Sequence, residues 1–334
     1  MIKVEVKKNE TGPATFNLTL KPLRIVFMGT PDFAVTSLEA LMKAGFNIVG
    51  VITSPDKPGG RGLQLQQSAV KKYALANDLL VLQPEKLKDP VFIEQLQQLN
   101  ADLQIVVAFR MLPEIIWDMP RMGTLNLHGS LLPQYRGAAP INWAVINGEN
   151  ETGVTIFKLK HDIDTGNILL QKRFPILPNE NAGQVHDKMK VIGAEVLVEA
   201  VKGLLNGSLV EKPQSEFDIA AFKAAPKIFK EDCQIDFTKS VIQIYNFIRG
   251  LSPYPGAFCI VEGKVLKIFK AEMGNGIILP DIAQMQAGQI ITDGKSYLAL
   301  ACADDFIFAN EVQLEGKKRM SVTDFLRGWK KFEK

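Results

Sequence analysis

A chain of 334 residues exceeds the ~100 to 200 that one hydrophobic core usually organises, so two folded units are expected. With 46% hydrophobic and 22% charged residues and no low-complexity stretch, a disordered or fibrous protein is excluded. The net charge of +3 is too small to identify a polyanionic partner by itself.

In chain order, residues 1–22 read as a polar extension without the apolar centre or cleavage site of a secretory signal. No apolar run approaches the ~18 residues a membrane span needs, so a cytoplasmic location is expected. Residues 23–28 (LRIVFM) are an apolar run ending at Gly29, and Phe33, Leu38, Leu41 and Met42 follow near helical spacing, giving strand, turn, helix. The alternation continues with a strand over 46–53, a helix over 68–77, a strand over 79–82, a helix over 91–99 and a strand over 103–109. Buried parallel strands look like these near-continuous apolar runs, so a doubly wound, Rossmann-like α/β layer is expected.

Further strands fit 124–128, 153–160 and 168–174, and the apolar spacing of 182–205 predicts a long helix that closes a first domain, 23–207, near Gly207. Residues 208–226, with Pro213 and Pro226, read as a linker. A second domain, 227–334, then opens with a helix over 240–251 and continues in short strands, among them 288–292, 296–302 and 306–314, whose natural closure is a small β-barrel of OB-like type. A last helix over 322–332 carries a basic end: from 316 to 334 there are seven Lys or Arg against Asp324 and Glu333. A solvated helix face and a nucleic-acid contact both fit that run. Cys233, Cys259 and Cys302 are odd in number and lack CxxC spacing, which suits reduced core thiols and neither disulfides nor a thiolate metal site.

Gly29-Thr30-Pro31-Asp32-Phe33 stands where a doubly wound fold often places a phosphate loop. It lacks the later glycines of GxGxxG, and Pro31 removes a donor, so it reads as a tight strand-to-helix turn with Asp32 in the first helical turn. The stretch 126–140 (NLHGSLLPQYRGAAP) differs in kind, too polar for core and too apolar for coil. Asn126 and His128 lie two apart at a strand end, so both project from one face. Acyl transfer to an amine needs a donor for the developing oxyanion and a base titrating near neutrality, roles that Asn126 and His128 fit. Asp164, after the next strand pattern, can hold the imidazole and raise its basicity. On spacing alone His128 also fits a satisfied core histidine, and His128, His161 and Asp164 lack the spacing of a metal set.

These residues carry a resemblance. GTPDF (29–33), SPDKPGGRG (54–62), NLHGSLLPQYRGAAPI (126–141), ETGVTIFKL (151–159), DTGNIL (164–169), APKIFKEDCQIDF (225–237) and KKRMSVTDFL (317–326) are together similar, in order and spacing, to the folate-dependent formyltransferase family. Within it, they most resemble members acting on initiator methionyl-tRNA. The resemblance implies Asn126, His128 and Asp164 as catalytic residues and 10-formyltetrahydrofolate as formyl donor, with no metal. It places the folate against Phe109, Arg110, Met111, Leu112, Ser130, Leu131, Leu132, Pro133, Ile163, Thr165 and Gly166. The segments 109–113 and 160–162 depart from the family's usual pattern.

Initiator methionyl-tRNA is the implied partner, with Lys57, Arg61, Arg136, Lys317, Lys318 and Arg319 as its contacts. No protein partner is read from the sequence. A formyltransferase acting on a small nucleotide or sugar amine would use the same site, and the basic second domain argues against it. A non-catalytic RNA-binding protein leaves the Asn-His-Asp set unexplained, and a folate hydrolase is separated by product analysis without an amine acceptor.

Overall fold

The structure is a computed structural model that describes residues 22–59, 64–217, 222–274 and 276–329. The chain divides into two compact units, 1–124 and 125–334.

In the first unit, apolar strands alternate with amphipathic helices. They run β1 (Arg24–Gly29), α1 (Asp32–Lys43), β2 (Asn47–Ile52), a small hairpin of β3 (Lys57–Gly59) and β4 (Gln64–Gln66), then α2 (Ala69–Ala76), β5 (Val81–Leu82), α3 (Pro90–Gln98), β6 (Leu103–Val107) and a short α4 (Glu114–Trp117). The parallel strands stand in the order β6-β1-β2-β5. Ile25, Val26, Phe27, Met28, Leu103, Ile105 and Val107 are buried, as a sheet covered on both faces requires. Chain order reverses at β1, the switch point of a doubly wound fold. There Gly29 admits α1, because a Cβ at that position would stand 2.6 Å from the Ala34 Cβ. Asp32 opens α1 as the sequence predicts.

The second unit begins with β7 (Thr124–His128), β8 (Arg136–Gly137), α5 (Pro140–Ile146), β9 (Glu151–Lys158), β10 (Ile168–Pro175) and α6 (Ala182–Asn206). β7, β9 and β10 pair antiparallel. α6 starts at a reciprocal capping box between Asn181 and Gln184 and stops at Gly207, whose φ of 71° is cheap only for glycine. Residues read from the sequence as a linker are bonded to the fold. β11 (Ala224–Ala225) pairs in parallel with β8, and Lys212 forms a bridge with Ile168.

Next come α7 (Val241–Gly250), β12 (Ala257–Val261), β13 (Lys264–Met273), β14 (Ile290–Thr292), β15 (Leu298–Ala301), β16 (Phe306–Leu314), β17 (Met320–Ser321) and α8 (Val322–Arg327). These strands form an antiparallel sheet, β12-β13-β16-β15-β14 with β17 beside β16. Register shifts at Ile268/Lys270 and Lys270/Ala271 in β13 mark the irregularity that lets a sheet bend. The expected barrel is a curled half-barrel. Its apolar face packs Leu266, Ile268, Leu300, Ile307 and Val312 with Ile244 and Ile248 of α7 and Phe325 and Leu326 of α8. The last helix is shorter than the expected 322–332, ending before Gly328. Lys317, Lys318 and Arg319 stand between β16 and β17, while Lys330, Lys331 and Lys334 lie outside the described residues. The three cysteines are buried free thiols, and burial pushes those of Cys259 and Cys302 up to about 12, which makes them poor nucleophiles.

Candidate active site

Alternation along β7 buries Leu125 and Leu127 on one face, with Leu127 packed close to Gly193 of α6, and turns Asn126 and His128 to the other. His128 is 7% exposed and meets Phe157 edge to face. The Asn126 side chain is half-buried and makes no hydrogen bond to another described residue, so its amide is free to donate.

The chain after β7 is tied down by Thr155, whose hydroxyl donates to Ser130 O (2.7 Å) and accepts from Leu132 N (3.0 Å) and from Gln171 Nε2 (2.8 Å). Ser130 Oγ donates to Gln134 O at 2.6 Å. This loop delivers the carbonyl of Tyr135 to within 2.9 Å of His128 Nε2. A carbonyl only accepts, so Nε2 carries the proton, which leaves Nδ1 as the nitrogen open to another partner.

Nδ1 faces Asp164 Oδ2 at 3.8 Å, an electrostatic approach beyond hydrogen-bond length. The imidazole is thus oriented by the Tyr135 backbone rather than by a direct bond from the carboxylate. Asp164 Oδ2 accepts from Gly137 N at 2.9 Å. Gly166 closes the turn where nothing larger fits, since a Cβ there would stand 1.7 Å from Lys158 O.

Sequence reasoning missed the supports. The Tyr135 hydroxyl donates to Glu149 Oε1 at 2.5 Å and accepts from Asn147 Nδ2 at 3.1 Å, and Lys223 Nζ pairs with the same Glu149 oxygen. Burial, then the Glu149 contact, raises the phenol well above its ordinary value. Gln214 Nε2 donates to Asp164 O at 2.8 Å and Gly166 O at 2.9 Å. Tyr135 stands inside a motif that the sequence singles out, whereas Gln214 has no sequence signal beyond following Pro213.

Of the expected folate residues in the second unit, Leu132 and Pro133 are buried, Leu131 is half-buried and Ile163 is 59% exposed. Thr165 Oγ1 donates to Asp162 O at 2.9 Å. In the first unit, Met111 is 73% exposed and Leu112 buried. Arg110 donates to Pro84 O (2.7 Å) and Glu85 O (2.9 Å) and lies over the Phe109 ring, so its charge is directed at backbone carbonyls. Burial lowers the Arg110 pKa from its ordinary value.

Of the expected tRNA residues, Lys57, Lys317 and Lys318 are exposed, and Arg61 lies outside the described residues. Arg319 forms a two-pronged pair with Glu311 at 2.6 Å through each nitrogen and lies over Phe269. Arg136 donates twice to Gln214 Oε1. Lys71, in the first turn of α2, is spent on Asp56 at 2.6 Å. That contact, followed by one from Gln83, holds the Asp56 carboxyl below the usual range. Among the described residues no group of three His, Cys, Asp or Glu is placed to hold a metal, and no helix is long and apolar enough to cross a membrane.

A donor, an imidazole and a carboxylate, in a chain that also carries a switch-point α/β layer and a curled β-sheet, define an acyl-transfer enzyme. Residues 23–201 match the formyl transferase family and residues 227–330 its C-terminal domain, so the chain belongs to the formyl transferases. Among curated proteins it is similar to methionyl-tRNA formyltransferase of Phocaeicola vulgatus, 57% identical over 93% of this chain and 97% of that protein. It is also similar to that of Bacteroides fragilis, 54% identical over 92% of this chain and 95% of that one. Among solved structures it shares its fold with an N-formyltransferase of Helicobacter canadensis crystallised with folinic acid and dTDP-3-aminofucose. That structure has a TM-score of 0.63, 22% identity, and coverage of 86% of this chain and 98% of that one. HypX of Aquifex aeolicus, crystallised with tetrahydrofolic acid, has a TM-score of 0.62 at 17% identity, over 92% of this chain and 47% of that one.

Proposed function

We propose that this chain is a cytoplasmic enzyme that moves the formyl group of 10-formyltetrahydrofolate onto the α-amino group of initiator methionyl-tRNA. The observation that carries the reading is the identity of 54% to 57% along nearly the whole length of relatives bearing that activity in their names. Residues 23–207 would form the catalytic domain and 227–334 the part that meets tRNA.

The reaction follows from the side chains. The neutral amine attacks the formyl carbon, and the carbonyl electrons move onto oxygen, where the free Asn126 amide donates. His128 Nδ1 takes the amine proton, and the imidazolium then faces the Asp164 carboxylate 3.8 Å away. Collapse breaks the bond to folate N10, which receives the proton back from Nδ1, leaving formylmethionyl-tRNA, tetrahydrofolate and a regenerated base. An α-amino group titrates near ~8, so no strong base is needed at neutral pH. The exposed apolar side chain of Ile163, one residue before Asp164, suits contact with a flat pterin.

A second reading, transfer to a nucleotide-linked amino sugar, is favoured by the ligands of the Helicobacter structure, although 22% identity speaks for the fold alone. Formyl transfer from 10-formyltetrahydrofolate offered to charged initiator tRNA and to a dTDP-amino sugar separates the two. Formylation of the sugar and not of the tRNA would overturn the first reading.

A further inference from the structure

Gln214 lies in a single 3-10 turn within residues 208–226 and is 5% exposed. Its two N–H donors both point at the turn bearing the candidate carboxylate, Nε2 reaching Asp164 O at 2.8 Å and Gly166 O at 2.9 Å. Its carbonyl oxygen accepts from Arg136 Nε at 3.0 Å and Nη2 at 2.5 Å. Arg136 adjoins Gly137, whose N–H donates to Asp164 Oδ2 at 2.9 Å. A closed circuit results: carboxylate to Gly137, Arg136 to Gln214, and Gln214 back to the carboxylate's own backbone.

The circuit has something to hold. Asp164 has φ of 54°, a left-handed conformation that non-glycine residues adopt sparingly and that bonds from the surroundings help to hold. Gly166 presses the turn against β9 on one side, and Gln214 supplies the opposing bonds. Only a primary amide offers two donors and an acceptor in one plane. Glutamate lacks the donors, and asparagine is one methylene too short.

We propose that Gln214 is a positioning residue for formyl transfer, holding the Asp164 turn so that the carboxylate faces His128 Nδ1, without touching either substrate. The proposal rests on the reading that His128 and Asp164 serve the reaction. It also assigns Arg136 to the same circuit as a strut.

The test uses the full-length protein carrying Gln214→Glu, which keeps the acceptor for Arg136 and loses both donors, or Gln214→Met, which loses all three bonds. Each variant should lower kcat about ten- to a hundredfold, as sub-ångström misplacement of a catalytic group does, with KM for folate and for methionyl-tRNA held within about threefold. The imidazole 15N signals of His128 in the unliganded protein should move as well, which a purely global loss of stability would not produce. Folded variants with kcat within about twofold of wild type and unmoved His128 signals would overturn the proposal, as would a change confined to KM. If Gln214→Met does not fold, Gln214→Glu carries the test. A wild-type chain that formylates no methionyl-tRNA would sink the proposed function instead, and the 15N measurement would still stand.

Discussion

The backbone carbonyl of Tyr135 stands 2.9 Å from Nε2 of His128, and Tyr135 offers it from a left-handed conformation with φ of 59°. Half of the imidazole's hydrogen-bonding capacity is thereby committed to the protein, which leaves Nδ1 open on the side of Asp164.

His128→Ala and Asp164→Asn should each reduce kcat/KM severely, because the negative carboxylate stabilises the positive imidazolium formed during transfer and the two act as one unit. The double variant should lose much less than the sum of the two free energies. Steady-state formylation by the four proteins of this cycle gives the answer, and strict additivity would show that the two groups act independently.

Asn126→Ala removes an amide that no described residue engages, so it should fold normally. The expected loss is about 10² to 10³ in kcat, the usual effect of deleting one oxyanion donor, with folate affinity little changed. Turnover near the wild-type level would leave the oxyanion to another donor.

Tyr135→Phe should act on stability rather than catalysis, since the carbonyl that orients His128 belongs to the backbone. Losing a buried hydroxyl bonded to Glu149 and Asn147 should cost about 1 to 2 kcal/mol near neutrality. The folded-state pKa of this phenol is raised, so its contribution is complete below the ordinary tyrosine value near ~10 and is lost as pH rises beyond it. Above pH ~10 wild-type stability should therefore fall more steeply than that of the variant, by up to about 1.4 kcal/mol per pH unit. Urea titrations between about pH 9 and 11.5 compare the slopes, and parallel curves would refute the assignment.

Lys57, Lys317 and Lys318 are exposed, whereas Arg319 is paired with Glu311. Lys57→Ala, and Lys317→Ala with Lys318→Ala, should weaken tRNA binding and flatten its salt dependence by about 0.9 logarithmic units for each phosphate no longer neutralised. Arg319→Ala should mainly lower the melting temperature by stranding Glu311. Binding isotherms from about 50 to 200 mM salt test both, and an unchanged slope in the lysine variants would remove this surface from tRNA recognition.

Where signals are periodic, the sequence is legible. The strand Thr124–His128 and the helix over Ala182–Asn206 follow from apolar spacing, and the alternation in β7 puts Asn126 and His128 on one face. The basic end is harder to read, because apolar spacing alone carries the last helix past Gly328. The helix ends at Arg327 instead, and Lys317, Lys318 and Arg319 precede its start at Val322. The supports of the site are illegible for another reason. Gln214 reaches Asp164 across 50 positions of chain, and Lys223 reaches Glu149 across 74, pairings that no local period announces.

The pairing of Ala224–Ala225 with Arg136–Gly137 sets a limit on where this protein can be cut. A fragment ending at Gly207 would keep every residue that the sequence marks as chemical and would still lack the strand beside Gly137, the amide behind Asp164 and the Pro226 carbonyl that receives Trp143 Nε1. Any piece that keeps the surroundings of Asn126 and His128 must therefore run at least through Pro226. Nor is there a clean seam after that proline, because Asn142 Nδ2 donates to Gly250 O and Arg249 Nη1 to Glu180 O across it, so an exchange of the C-terminal module for a relative's has to carry those pairs with it.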